Sequence, residues 1–381
     1  MKMTLPEALL ADVAGRGDEI EAARRLPADV ARAMAKAGLF RMMIPKTLGG
    51  LELPVSESLA AMRRVAAADA SAGWCVMIAA TSAYKSGFLD HETAREIYGD
   101  PLGVYGGIFA PMGRAEPVDG GYRLTGRWAW ASGSANCTWL SGGAVIREGD
   151  GIAKLPNGAP DSRMMIFPAA EAELIDTWMS HGLKGTGSGD MAVEDIFVPE
   201  ARAVSMMTSV ATHDGALYRF PTFGLLALGI AAVALGNAGA ALDDLVALAA
   251  SKKPTGGGRT LAERGYAQSE LAQARAKLGG ASAFMEDAVG RAWTLAEAGD
   301  DLDVEARADL RLAATHATRT SADVARVMYD LAGGDSVYLK SPLQRRFRDA
   351  HVMTQHMMVN PATWELTGRV AFGLPTDATF L

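Results

Sequence analysis

The chain has only two cysteines, Cys75 and Cys137, so it carries neither a disulfide framework nor a Cys-x-x-Cys motif. A reducing, cytoplasmic setting is expected. No long lysine/arginine run or basic patch appears, and a formal net charge of -7 argues against nucleic acid as a partner. The opening stretch MKMTLPEALLADVAGRGDEI lacks an apolar core of secretory length, and no signal peptide is expected. There is no dinucleotide fingerprint of the Gly-x-Gly-x-x-Gly type between a strand and a helix, so no NAD(P)H site is read. A long membrane span is also missing. The apolar run Phe223 to Leu235, FGLLALGIAAVAL, falls short of the roughly 20 residues a span needs and is largely alanine and glycine. We expect it to be a buried bundle or interface helix. His351 and His356 lie about 500° apart on a helix, so they are not an i,i+4 metal pair, and no metal is expected.

What is present reads as three regions of a soluble globular protein, and 381 residues exceed one ordinary core. Residues 1–104 read as an N-terminal α-helical domain. LPADVARAMAKAGLF has helical apolar spacing that ends at Gly38 and Pro45, and two alanine-rich helices follow, broken near Asp69. Residues 105–215 turn to short β-branched and aromatic runs split by glycine, proline and aspartate. Asp119-Gly120-Gly121 signals a hairpin, so this part reads as a small antiparallel β-barrel or sandwich. Residues 216–381 carry four helical stretches with short connections, one of them the loop TGGGRT, the pattern of a four-helix bundle. The fold class is α+β and multi-domain.

One stretch does not explain itself. GLKGTGSGDM, inside residues 176–201, crowds Gly185, Thr186, Gly187 and Ser188 between Lys184 and Asp190. A P-loop would need Gly-Lys-Ser/Thr after its second glycine, and here the lysine comes first. The strand-like MAVEDIFVP follows, so the loop joins two strands.

The α, β, four-helix order and three stretches together resemble the acyl-CoA dehydrogenase fold over essentially the whole chain. The stretches are GYRLTGRWAWASGSANCTWLSGGA, HGLKGTGSGDMAVEDIFVPEA and YDLAGGDSVYLKSPLQRRFRDA. Trp128-x-x-x-Ser132-Gly133, Gly185-Thr-Gly-Ser-x-Asp190 and Asp69-x-Ser71-x-x-Trp74 resemble more closely the reduced-flavin-dependent monooxygenases of that superfamily. This resemblance implies a homotetrameric flavoprotein, the oxygenase of a two-component system. A separate NAD(P)H flavin reductase would supply FMNH2 or FADH2. With O2, a flavin C4a-hydroperoxide would hydroxylate an aromatic or heteroaromatic small molecule.

Site residues follow from the resemblance. Ser132 is expected near the flavin N5/O4 edge, with Trp130 beside the ring and Gly133 next to them. Gly185, Thr186, Gly187 and Ser188 are expected to bring amides and hydroxyls to the cofactor, glycine allowing the approach. Arg264 and Gln268 would reach the flavin phosphates of a neighbouring subunit, received at the Gly333-Gly334 turn. Trp74, Asn136 and Met357 would line the substrate pocket. His356, on the last helix, would be the base that removes a phenolic proton, titrating near physiological pH. Arg346, Arg348 and Asp349 read as an ion-pair network at a helix start. The rival reading, an acyl-CoA dehydrogenase holding oxidised FAD, needs a glutamate about eight residues past Arg348-Asp349. Met357 stands there, and no carboxylate lies between Asp349 and Glu365. A second rival is a non-catalytic protein of the same fold, which would bind no flavin.

Overall fold

A computed structural model describes residues 3–253 and 257–381. Six helices come first: α1 (Glu7–Gly15), α2 (Gly17–Ala23), α3 (Ala28–Lys36), α4 (Val55–Ala68), α5 (Ala70–Ala83) and α6 (His91–Tyr98). The break between α4 and α5 falls at Asp69, whose carboxylate accepts the Ala72 N–H at 2.9 Å and so starts α5. Every residue of α5 is buried except Ile78. That helix packs against α4 and the long C-terminal helix Thr222–Ser251, with the Lys184–Thr186 turn beside it.

The strands are β1 (Ile108–Val118), β2 (Gly121–Trp128), β3 (Trp139–Glu148), β4 (Gly151–Ile152), β5 (Ser162–Pro168), β6 (Glu173–Ile175), β7 (Asp190–Pro199) and β8 (Ala203–Val204). They form one sheet in the order β6-β7-β2-β1-β3-β5-β8, with β4 on β3. The expected hairpin joins β1 to β2, Gly120 taking φ 78° at its turn. The sheet is not wholly antiparallel, as the sequence suggested. β1 and β3 run parallel, because residues 129–138 carry the chain across instead of turning it back. Trp128 of β2 reaches Phe167 of β5 with ring centroids 6.3 Å apart, although two strands separate them, so the sheet curls around its own core. A Cβ on Gly113, Gly126 or Gly142 would come within 2.5 Å of the Trp128 ring, so these glycines make its seat.

The C-terminal helices are α7 (Ala216–Arg219), α8 (Thr222–Ser251), α9 (Gly265–Ala298), α10 (Val304–Ala332), α11 (Pro342–Met353) and α12 (Ala362–Ala371). α8 is long and apolar enough to cross a membrane, but 78% of its most apolar window is buried inside this molecule. Its small residues permit that packing: a Cβ on Gly236 would sit 2.2 Å from the Arg63 carbonyl oxygen on α4. The TGGGRT loop falls partly on residues 254–256, outside the described residues. The last stretch, RRFRDAHVMTQHMMVNPATWELTGRVAFG, is not one helix as expected but two, α11 and α12. Pro361 pushes Asn360 into extended backbone (ψ 169°), and the His356 side chain caps the Met357–Val359 turn between them.

Candidate active site

Two stretches singled out in the sequence are zipped together. The Ala131 N–H donates to the Gly189 carbonyl and the Gly133 N–H to the Thr186 carbonyl, each at 2.8 Å. The side chains beneath form a directed chain. Thr186 Oγ1 donates to the Leu183 carbonyl at 2.7 Å, so its oxygen accepts from Ser188 at 2.6 Å. Ser188 in turn accepts from Ser132 at 2.6 Å, and Ser132 accepts from Trp74 Nε1 at 3.1 Å. All three hydroxyl protons are committed, which leaves Ser132 a spare lone pair and no spare donor.

A reduced flavin carries a hydrogen on N5 where the oxidised ring has an acceptor, so a hydroxyl that can only accept fits the reduced form. Trp130 supplies the apolar surface, standing 66% exposed on left-handed backbone (φ 66°) at the end of β2. Ser132→Ala is expected to weaken FMNH2 or FADH2 binding about fivefold, one neutral hydrogen bond, in an anaerobic titration. Oxidised flavin should bind nearly as before.

His356 faces this group. Its ring lies edge-on to Trp74, centroids 5.9 Å apart, while Met357 beside it is 62% exposed. Nδ1 accepts the Met358 N–H at 3.2 Å, so the neutral ring carries its proton on Nε2 and presents a donor. Burial, reinforced by the nearby Arg311 charge, pushes the imidazole down to about 4. Both points correct the sequence reading. His356 does not titrate near neutral pH, and as placed it donates instead of accepting a proton. Arg311 of α10 donates to the Met358 and Phe380 carbonyls, tying the His356 turn to the C-terminal tail. Among the described residues no carboxylate hydrogen-bonds or ion-pairs with Trp74, Ser132, Thr186, Ser188 or His356.

Other expectations are redistributed. The glycines of the loop approach protein, not open space. A Cβ on Gly185 would lie 2.2 Å from Ile20 Cγ2 and 3.0 Å from Ser71, and one on Gly187 2.9 Å from the Arg24 carbonyl oxygen. Gly185→Ala is therefore expected to cost about 1–3 kcal/mol, read as a lowered denaturation midpoint. Asn136 turns away from the group, donating to the Leu26 carbonyl at 3.0 Å. Asp349 is not in an ion pair. It accepts the Leu183 N–H at 2.6 Å, and burial, with Asp69 close by, raises it to about 7. Arg346 pairs with Asp244 and Arg348 with Glu21, as a network reading foresaw. His351 points elsewhere, to the Phe347 carbonyl.

Arg264, Gln268, Gly333 and Gly334 gather at the far end of the helical bundle, where Lys252 pairs with Asp335. From Arg311, beside the His356 turn, to the end of α10 is about 30 Å of helix, so these four do not join Ser132 within one chain. Arg264 Nε is buried there without a partner. Sequence reasoning missed Arg311 altogether, and ranked Trp74 only as a pocket wall. Nothing local marks an arginine in RADLRLAATHATRT as the tie for a loop some fifty residues on.

Residues 4–91 match the family model described as acyl-CoA dehydrogenase, N-terminal domain, and residues 228–361 match acyl-CoA dehydrogenase, C-terminal domain. An indole-3-acetate monooxygenase of Pseudomonas putida is 37% identical over 96% of this chain and 93% of its own. The crystal structure of the HsaA monooxygenase from Mycobacterium tuberculosis superposes with a TM-score of 0.90 at 28% identity, covering 98% of this chain and 97% of that one. XiaF from Streptomyces, solved in complex with FADH2 and glycerol, superposes with a TM-score of 0.87 at 26% identity, over 97% and 94%. These matches and the hydroxyl chain agree. The chain belongs to the flavin-dependent monooxygenases of the acyl-CoA dehydrogenase fold, the oxygenase components that act with reduced flavin and O2.

Proposed function

We propose that this protein hydroxylates an aromatic or heteroaromatic small molecule, as its relatives' names indicate for them. The observation that carries the reading is the meeting of Trp74, Ser132 and His356, with no carboxylate bonded to any of them among the described residues. Reduced flavin, when bound, activates O2 and supplies the oxygen atom. The residues of the chain do the rest. Trp130 covers one side of the ring, Ser132 accepts from it, and the buried Trp74 with the Met358 turn keeps water out. His356 Nε2–H donates to an oxygen of substrate or oxidant, which stabilises charge developing there.

A homotetramer is supported by the end of the bundle, where Val337, Tyr338, Leu339 and Tyr266 are exposed beside Arg264 and Gly333. In that assembly Arg264 and Gln268 would serve a neighbour's flavin. Two free thiols suit a cytoplasmic location.

Anaerobic titration with FMNH2, FADH2 and oxidised FAD, followed by mixing with oxygen and an aromatic panel, tests the function. The reduced forms should bind more tightly, with up to one hydroxylated product per bound reduced flavin on mixing with oxygen, and repeated turnover only when a reductase regenerates them. Tight oxidised FAD that an acyl-CoA thioester bleaches would overturn the proposal.

A further inference from the structure

Three cations are buried among the described residues: Arg41, Arg311 and Lys85. Arg41 donates to the carbonyls of Leu48, Gly49, Tyr98 and Asp100, and Arg311 to those of Met358 and Phe380. Lys85 is different. It is 6% exposed, and its ammonium has no hydrogen-bond or ion-pair partner among the described residues, while its Nζ is not among the side-chain atoms sealed from solvent. An ammonium largely withdrawn from water and left unpaired is costly, and no group of the fold offsets it.

Its place says what would. Lys85 stands just past the end of α5, in the helical turn Tyr84–Phe88 that continues it. Trp74, Ile78, Thr81 and Lys85 are spaced i, i+4, i+7 and i+11, which puts them within about 60° of one another around the helix. At the near end of this stripe, Trp74 touches Ser132 and His356. In the middle is Ile78, the one residue of α5 that is not buried. The stripe therefore has a reactive end, an apolar middle and a charged end about 16 Å of helix further on. A bicyclic aryl acetate, with the four-carbon lysine stem reaching back, spans that interval.

We propose that Lys85 is a specificity residue that binds the carboxylate of an aromatic acid substrate, with the ring against Ile78 and its reacting edge toward His356. The inference rests on the oxygenase reading for the location of the reacting edge. The ammonium supplies the charge that an amide, ester or unsubstituted ring would fail to match, so it selects acids over their neutral analogues. The carboxylate in turn supplies the partner that the fold withholds.

The test is calorimetric binding without flavin, using indole-3-acetate against indole-3-acetamide, phenylacetate against phenylacetamide, and benzoate against benzamide. The wild type should bind at least one acid ten times or more tighter than its amide. Lys85→Met and, as a second variant, Lys85→Gln should lose that preference, with melting curves confirming that both fold. If no acid binds more tightly than its amide, or if both variants keep the preference, the proposal is wrong. Reduced-flavin titration of the wild type reports separately on the oxygenase reading. A protein that prefers acids through Lys85 but binds no reduced flavin keeps the acid site and loses that reading.

Discussion

His356→Ala is expected to lower product formed per reduced flavin about 100-fold, the size usual for one preorganised donor or proton-transfer group. His356→Gln should recover a substantial part of that loss, because a side-chain amide can place an N–H near where Nε2 stood. A residue needed only as a base would gain nothing from glutamine, so equal losses in the two variants would refute the donor role. The pH profile discriminates as well. With the imidazole pushed down to about 4 by burial, the ring is neutral throughout the neutral range. The His356 contribution to kcat should thus be flat above about pH 5 and change only as pH falls toward 4. Folding follows the same direction. Between 6.5 and about 4 the unfolded chain binds a proton that the folded chain refuses, so stability falls with pH across that window and levels below it. The drop is about 3 kcal/mol, and His356→Phe should abolish most of it.

Lys85→Met is expected to stabilise the protein, by about 3–5 kcal/mol at pH 6. Burial alone lowers the Lys85 amine from 10.5 to about 7. Below pH 7 the folded state carries the buried charge at full cost. From pH 7 to 10.5 the folded amine is already neutral while the unfolded one is not, and the cost shrinks to zero. The gain from methionine should therefore be greatest below pH 7 and fade toward pH 10.5, as urea denaturation at several pH values would show. A variant no more stable than the wild type at pH 6 would mean that the ammonium has a partner, contrary to its surroundings here. Such stability gains at functional positions are a known trade-off: the group costs the empty protein what it contributes when ligand is bound.

Much of the site was legible because it lies in stretches whose chemistry is local. Gly185 to Ser188 marks itself by composition, and Ser132 and Trp130 by their place after a strand. Their roles were less legible. The loop glycines looked like a cradle for a cofactor, yet their missing side chains make room for Ile20, Ser71 and the Arg24 carbonyl, all distant in sequence. Thr186 and Ser188 do serve the site, but as links that commit the Ser132 proton. His356 was found as the titratable residue beside Met357, which stands where a dehydrogenase would need its acid. Its tautomer and low affinity for protons depend on Met358, Trp74 and Arg311, which no spacing rule connects.

Periodicity and punctuation by themselves determined the helical, β and helical regions, the break at Asp69, the hairpin at Gly120 and the burial of the apolar helix α8. These are consequences of short-range forces: capping, turn geometry and the segregation of apolar faces. Only the tertiary structure decided that β1 and β3 run parallel, that the final helix breaks around His356, and that a lone ammonium closes the stripe begun by Trp74. Those outcomes depend on which distant groups share a low-dielectric space, where a hydrogen bond or an unmatched charge weighs far more than it does in water.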